Sequence, residues 1–130
     1  MIQRIQSVYF MLAAILAVVF LFIPNIEQND VFLRAVDIWA VMGLCILVAI
    51  ISIVAIFLFK NRSSQIKIGR LNIVLILILM GVAVYFELQD GDFQPYFGIG
   101  LPLIVLILNV LAIQAVQADD KLIRSADRLR

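Results

Sequence analysis

The sequence predicts an all-α membrane protein in which four transmembrane helices pack as one bundle, and three observations support this prediction. The mean hydropathy is +1.12 and only 15% of the residues are charged, a composition far outside the range of soluble domains. The apolar residues also come in four continuous runs, each close to or above the ~18 residues that mark a transmembrane helix. Finally, the charged residues lie between the runs or at their ends.

The four helices are predicted at about residues 5–23, 38–59, 68–86 and 96–118. At a rise of ~1.5 Å per residue, each is long enough to cross a hydrocarbon core of ~30 Å. Helices satisfy their backbone hydrogen bonds internally, as lipid requires, whereas a membrane β-barrel would need shorter, alternating segments. No signal-peptide cleavage site follows the first run, so we expect the first helix to be retained. We expect one domain over residues 1–130, with no linker or internal repeat.

Residues with known preferences for helix ends mark the predicted boundaries. Asp30 is a candidate N-cap for the segment leading into the second helix, and Ser63 or Ser64 for the third. Pro95 suits the first turn of the fourth helix, and Pro102 is expected to kink that helix in its outer third. An aromatic belt at the outer membrane interface is predicted from Trp39, Tyr85, Phe86, Tyr96 and Phe97.

The charges are distributed unequally between the two sides of the predicted bundle. Nine of the ten basic residues fall on the side of the two termini and of the connector over residues 60–70, while six of the nine acidic residues fall on the other side. The positive-inside rule therefore predicts that both termini and this middle connector are cytoplasmic. A net charge of only +1 does not favour a nucleic-acid partner. The basic residues of the predicted cytoplasmic side are Arg4, Lys60, Arg62, Lys67, Arg70, Lys121, Arg124, Arg128 and Arg130.

The residue types exclude most kinds of catalytic and metal site. The chain has no histidine, so sites that need histidine for zinc, haem or acid–base chemistry are excluded. Its single cysteine, Cys45, lies in an apolar run and cannot form an internal disulfide or a cysteine-rich metal site. No acidic residue lies deep in a run, and the first helix lacks the glutamate on which small multidrug transporters rely. Asp37, at the outer edge of the second helix, is expected to form an ion pair with Arg34. We therefore expect no enzymatic activity, metal or cofactor.

Two asparagines are predicted to lie inside the membrane, Asn72 in the third helix and Asn109 near the middle of the fourth. An asparagine in lipid needs a hydrogen-bond partner on another helix, and such a bond contributes about 0.6–2 kcal/mol. We expect both amides to act as interhelical packing contacts, with a substrate or ion site as the alternative. Residues expected to support close helix packing are Ala13, Ala14, Ala17, Gly43, Ala49, Ser52, Gly81, Ala112 and Val116.

The segment over residues 119–130 carries charges of both signs and is predicted to extend the fourth helix into the cytoplasm. Asp120 can pair with Arg124 at i,i+4, and Arg124 with Asp127 at i,i+3. We interpret this tail either as a solvated extension or as an amphipathic docking surface for a partner or neighbouring subunit. Candidate contacts with such a partner, or with anionic lipid head groups, are Arg4, Lys60, Arg62, Lys67, Arg70, Leu122, Arg124, Ala126, Arg128, Leu129 and Arg130.

Three motifs carry a resemblance to a known family. They are MIQRIQS at residues 1–7, FKNR at residues 59–62 followed by QIK and RLN, and the closing DDKLIRSADRLR. Over its full length the chain resembles an uncharacterised family of small four-helix membrane proteins from Bacteroidota, although its outer connectors are shorter than in many relatives. The resemblance implies four spans and a bacterial inner-membrane location. It assigns no role to any residue, because the family has no known function.

The function that the sequence favours is that of an accessory or structural subunit of a larger inner-membrane complex, which docks through its cytoplasmic face. The alternative is a small transporter or pore that acts as a homo-oligomer, with Asn72 and Asn109 as candidate polar contacts for a solute. A membrane enzyme is not expected, because the chain shows no nucleophile motif and no pair of intramembrane acids.

Overall fold

The computed structural model describes residues 2–28, 31–34, 37–88 and 97–129. Within them, four helices are long and apolar enough to cross a membrane by length and composition, which confirms the predicted all-α membrane-spanning architecture. A short β-hairpin and a 3-10 turn complete the described part of the chain. The elements in chain order are α1 (Ile2–Phe22), β1 (Pro24–Gln28), β2 (Val31–Arg34), α2 (Trp39–Phe57), the 3-10 turn (Leu58–Lys60), α3 (Arg62–Leu88) and α4 (Phe97–Arg128).

The four helices form a ring in chain order. Both α1 and α3 pack against α2 and α4, so α1 and α3 occupy opposite corners of the bundle. Consecutive helices run antiparallel, the up-and-down arrangement of bundles with short connections. The start of α1, the 3-10 turn with the start of α3, and the last part of α4 lie together at one end, which we call the basic end. The opposite end, with β1 and β2, is the hairpin end.

One buried stripe on each helix builds the core. In the middle of the bundle, Ala13 and Ala17 of α1 pack in one cluster with Val48 of α2, Ile76 of α3 and Val105 of α4. The two alanines are one helical turn apart, so they present a smooth surface that the larger side chains of the other helices can approach closely. The outward faces of all four helices carry exposed Ile, Leu and Val side chains, which suit lipid as the surrounding solvent.

Two of the glycines predicted to lie at helix contacts do not. Gly43 and Gly81 are exposed, and a Cβ built on either would meet nothing within 4 Å. The prediction is wrong there because the face on which a glycine lies, and not its size alone, decides what it contacts. The close approach occurs at Gly69, where a Cβ would lie 2.8 Å from Cγ1 of Ile113. The other residues predicted to support packing are buried: Ala13, Ala14, Ala17, Ala49, Ser52, Ala112 and Val116.

The third helix begins earlier than predicted. α3 starts at Arg62, directly after Asn61, whose Oδ1 accepts a hydrogen bond from the backbone N–H of Ser64 at 3.3 Å. Asn61 is therefore the N-cap. The prediction that Ser63 or Ser64 caps this helix is wrong, because both already lie in its first turn. Most of the predicted basic connector is consequently helical.

The connector between α1 and α2 forms a hairpin that was not predicted from the sequence. β1 and β2 pair antiparallel, from Gln28 opposite Val31 to Pro24 opposite Arg34. At the end of β2, the backbone N–H of Arg34 donates a hydrogen bond to a carboxylate oxygen of Asp37 at 2.9 Å. This hydrogen bond takes the place of the ion pair predicted between the two side chains.

Aromatic side chains lie at the hairpin end, where the predicted interfacial belt falls. Trp39 and Tyr85 are 84% and 61% exposed, as expected of rings that face a membrane interface. The rings of Tyr85 and Phe86 meet edge to face, with their centroids 5.8 Å apart. Pro102 is buried inside α4, and the kink expected there stays a prediction. Predicted features that lie outside the described residues are the N-cap at Asp30, the first-turn Pro95, and the side chains of Tyr96 and Phe97.

Candidate functional site

A hydrogen-bond network of three polar side chains links three helices inside the bundle. Nδ2 of Asn72, on α3, donates to Oδ1 of Asn109, on α4, and to Oγ of Ser52, on α2, both at 2.8 Å. All three side chains are completely buried. The structure thus brings together the two asparagines singled out in the sequence. The sequence did not identify Ser52 as their partner, because a serine can also satisfy its hydroxyl within its own helix.

The other hydrogen bonds of the network go from its side chains to backbone carbonyl groups. Oγ of Ser52 donates to the carbonyl of Val48, and Nδ2 of Asn109 donates to the carbonyl of Val105, each at 2.9 Å. Oδ1 of Asn72 is buried and accepts no hydrogen bond from the described residues. Since the network is uncharged and its amide and hydroxyl donors bind protein acceptors, it can fix the helices relative to one another but offers few groups to a solute.

A small cavity lies within the core on the side of the hairpin end. Its volume of about 10 Å³ is at most the space that one water molecule needs. The lining is entirely apolar, so the cavity provides no group that would hold an ion. Among the described residues, no group of three acidic or cysteine side chains could hold a metal ion. The residues that line the cavity are Ala17, Phe20, Val48, Ile76, Leu79, Pro102 and Val105.

Two buried glutamines join neighbouring helices closer to the basic end. Nε2 of Gln6 donates to the carbonyl of Ala115 at 3.1 Å, which links α1 to α4. Nε2 of Gln65 donates to the carbonyl of Ala55 at 3.0 Å, which links α3 to α2. Neither glutamine was singled out from the sequence. A signal exists for Gln6, because it lies one turn from the buried Phe10 on the same face of α1.

An ion pair joins the start of α3 to α4 at the basic end. Nη2 of Arg62 lies 2.9 Å from Oδ2 of Asp119, and the two side chains are only 20% and 12% exposed. Sequence reasoning missed this pair because its members are far apart in the chain. Asp119 nevertheless continues the buried stripe of Ala112 and Val116 on α4, and an acid on a buried stripe indicates a basic partner.

Replacing Asp119 by asparagine is expected to destabilise the bundle by about 1 kcal/mol, because Arg62 loses its partner while it stays partly shielded from water. The matched control is Asp120→Asn. Asp120 pairs with Arg124 at 3.1 Å, but the Arg124 side chain is 77% exposed, so we expect a loss below about 0.5 kcal/mol. Unfolding in mixed detergent micelles measures both changes. Equal losses for the two variants would contradict the structural role of the Arg62–Asp119 pair.

A groove opens between α3 and α4 at the basic end. Its volume is about 210 Å³. Three of the basic residues selected from the sequence, Lys67, Arg70 and Arg124, line it together with Asp120. The groove therefore gathers cations from two helices that the sequence places far apart. Ser63 and Ile66 complete its lining.

The last part of α4 extends beyond its apolar residues. The helix holds 32 residues, about 48 Å at ~1.5 Å each, which exceeds the ~30 Å of a hydrocarbon core. Residues 121–129 are all exposed. Arg124 pairs with Asp120, as predicted, whereas the predicted pair with Asp127 is not formed. Four apolar residues of this tail, which we call the tail stripe, are Leu122, Ile123, Ala126 and Leu129.

The other candidate contacts are spread over the basic end. Lys60 and Arg128 are exposed, and neither lines the groove. The side chain of Arg4 and the terminal Arg130 lie outside the described residues.

The chain is similar to one protein family over nearly its whole length. The chain matches the family described as a domain of unknown function (DUF4293) over residues 2–129. No curated protein and no solved structure shows a significant match. The family match agrees with the resemblance to an uncharacterised family. Because it covers nearly the whole chain, the protein belongs to the DUF4293 family.

Proposed function

We propose that this protein is a multi-pass protein of the bacterial inner membrane, without enzymatic activity, that serves as an accessory subunit of a larger membrane complex. Both termini are cytoplasmic in this proposal, and the protein docks on its partner through the tail stripe. The observation that carries the proposal is the exposure of this stripe on a helix that extends past the membrane span. Leu129, the residue directly after α4, is 90% exposed.

The direction of α4 favours a protein partner over the membrane surface. An amphipathic helix that binds lipid lies in the plane of the interface. The tail, by contrast, continues the same helix as a membrane span, so its stripe is carried away from the lipid. An apolar helix face bordered by charges of both signs suits the groove or helix face of another protein.

The distribution of charge supports the proposed orientation. The basic end holds all the basic residues of the described chain except Arg34, and short basic segments stay on the cytoplasmic side of a membrane. A cytoplasmic tail stripe would meet either a soluble protein or the cytoplasmic part of another membrane subunit.

Replacing Leu122 and Leu129 together by glutamine is expected to release the partner while leaving the bundle folded, because both side chains project from the tail into solvent. The control, Lys121→Gln with Ser125→Gln, places the same new residues at other exposed positions of the tail. The measurement is native gel migration and mass spectrometry of the protein purified from its own membrane in a mild detergent.

We expect the stripe variant alone to lose a component that co-purifies with the wild-type protein in fixed ratio. Wild-type migration of the stripe variant would contradict docking through the tail. Recovery of the wild-type protein without any stoichiometric partner would contradict the accessory-subunit proposal as a whole.

The interior of the bundle gives less support to the alternative, a small transporter or pore. The polar side chains there bind one another, and the nearby cavity of about 10 Å³ is too small for a solute larger than water. A pore between several copies would have to be lined by outward faces, which are apolar on all four helices. Solute flux through liposomes that contain the purified protein alone would favour this alternative.

A further inference from the structure

We infer that the groove between α3 and α4 at the basic end is a specific binding site for the phosphate group of an anionic phospholipid. This goes beyond a general attraction of basic residues to the membrane surface, because it assigns one bound head group to a defined set of side chains. It also does not depend on the proposed protein partner.

The charges that line the groove are the first reason. Lys67, Arg70 and Arg124 contribute three positive charges, and Asp120 contributes one negative charge. Asp120 already pairs with Arg124, while Lys67 and Arg70 form no ion pair with the described residues. An anion between the two helices would relieve the repulsion of these cations and receive charge-assisted hydrogen bonds.

The start of α3 adds to the attraction. Ser63, the second residue of α3, lines the groove, and its hydroxyl can donate to a phosphate oxygen. The first turn of a helix also carries a partial positive charge that favours anions. The volume of about 210 Å³ is many times the ~10–15 Å³ that one water molecule needs, which leaves room for a phosphate group and its ester oxygens.

The position of the groove along the membrane-spanning helices points to a lipid as the source of the phosphate. Arg70 lines the groove, and the uncharged apolar part of α3 begins at the next residue, Leu71. Asp120, on the other wall, comes just after the apolar part of α4 ends. The groove therefore lies where a membrane span changes from apolar to charged, the depth at which lipid head groups are found.

The test compares two lysines at the same end of the bundle. Both lysines are exposed, but only Lys67 lines the groove. The detergent-solubilised protein is titrated with phosphatidylglycerol and with phosphatidylcholine, and native mass spectrometry counts the bound lipids. We expect one phosphatidylglycerol to bind in preference to phosphatidylcholine.

Lys67→Gln should weaken the binding of this phosphatidylglycerol about fivefold, and Lys67→Gln with Arg70→Gln about 25-fold, if each basic residue contributes its usual share. Lys121→Gln should leave it within about twofold of the wild type. Equal weakening by Lys67→Gln and Lys121→Gln would show a delocalised attraction and overturn the site. Displacement of the lipid by millimolar inorganic phosphate, with the same dependence on Lys67, would overturn the lipid as its natural source. Unchanged unfolding of each variant ensures that a loss of binding does not reflect misfolding.

Discussion

Replacing Gly69 by leucine is expected to disrupt the packing of α3 against α4 and its contact with the Phe10 ring of α1. A Cβ at this position would lie 2.8 Å from Cγ1 and 3.0 Å from Cδ1 of Ile113, and 3.5 Å from Cζ of Phe10. Both neighbours are buried in the core, and the branched Ile113 has little freedom to rotate within its helix. Overpacking of this kind costs about 1–3 kcal/mol or more, so we expect a large loss of the folded fraction.

Gly81→Leu is the matched control, because Gly81 lies on the same helix but a Cβ there would meet nothing within 4 Å. Leucine forms helices better than glycine by somewhat less than about 1 kcal/mol, so this variant should be as stable as the wild type or slightly more stable. Unfolding of both variants in mixed micelles measures the difference. Similar losses at the two positions would show that the close approach of α3 and α4 at Gly69 does not determine the packing.

Replacing Asn72 by leucine is expected to destabilise the bundle by about 1–3 kcal/mol. Asn72 supplies both donors that join α3 to Ser52 and to Asn109. Its loss leaves buried acceptors on α2 and α4 without the interhelical donor. Asn109→Leu should have a similar effect, because it leaves one of the donors of Asn72 without its acceptor.

The double variant Asn72→Leu with Asn109→Leu tests whether the two asparagines stabilise the bundle through one shared hydrogen bond or independently of each other. When both amides are removed, neither is left buried without the other, so the double variant should be more stable than the sum of the single changes predicts. We expect a coupling free energy of about 0.5–2 kcal/mol in a double-mutant cycle. Strict additivity would contradict a direct contact between the two side chains.

The same network affects how a transport experiment should be interpreted. Asn109→Leu changes a side chain that holds α3 and α4 together, so a loss of solute flux in this variant could reflect a loss of folded protein. Flux therefore has to be compared with the folded fraction of the same sample. The tail and groove variants avoid this difficulty, because the residues that they change are exposed.

Local signals account for the parts of the fold that were predicted correctly. Each membrane span is visible as a continuous apolar run, because nearly every residue of a span faces either lipid or the apolar core of the bundle. The pair between Asp120 and Arg124 was also predicted, since residues four apart on a helix are always neighbours. These features depend on residues that are close in the sequence.

Short segments that suit more than one secondary structure are harder to predict from the sequence. The basic residues around Arg62 suggested a connector, although Asn61 is a good N-cap and starts α3 there. The short segment Val31–Arg34 has three apolar residues and suits a strand as well as a helix, and its pairing with β1 decides between them. Charge and hydropathy alone do not resolve such short segments.

Sequence patterns alone predict a four-helix membrane protein, the division of its charges between the two ends, and two asparagines, Asn72 and Asn109, in the interior of the bundle. The folded structure is needed to see which helices are neighbours, and with that the contact of the two asparagines, the ion pair of Arg62 with Asp119, and the groove. The sequence does not show these contacts because the apolar faces of the four helices are chemically alike and do not specify their partners. The packing order becomes evident only where a glycine, an amide or a charge has to meet one particular neighbour.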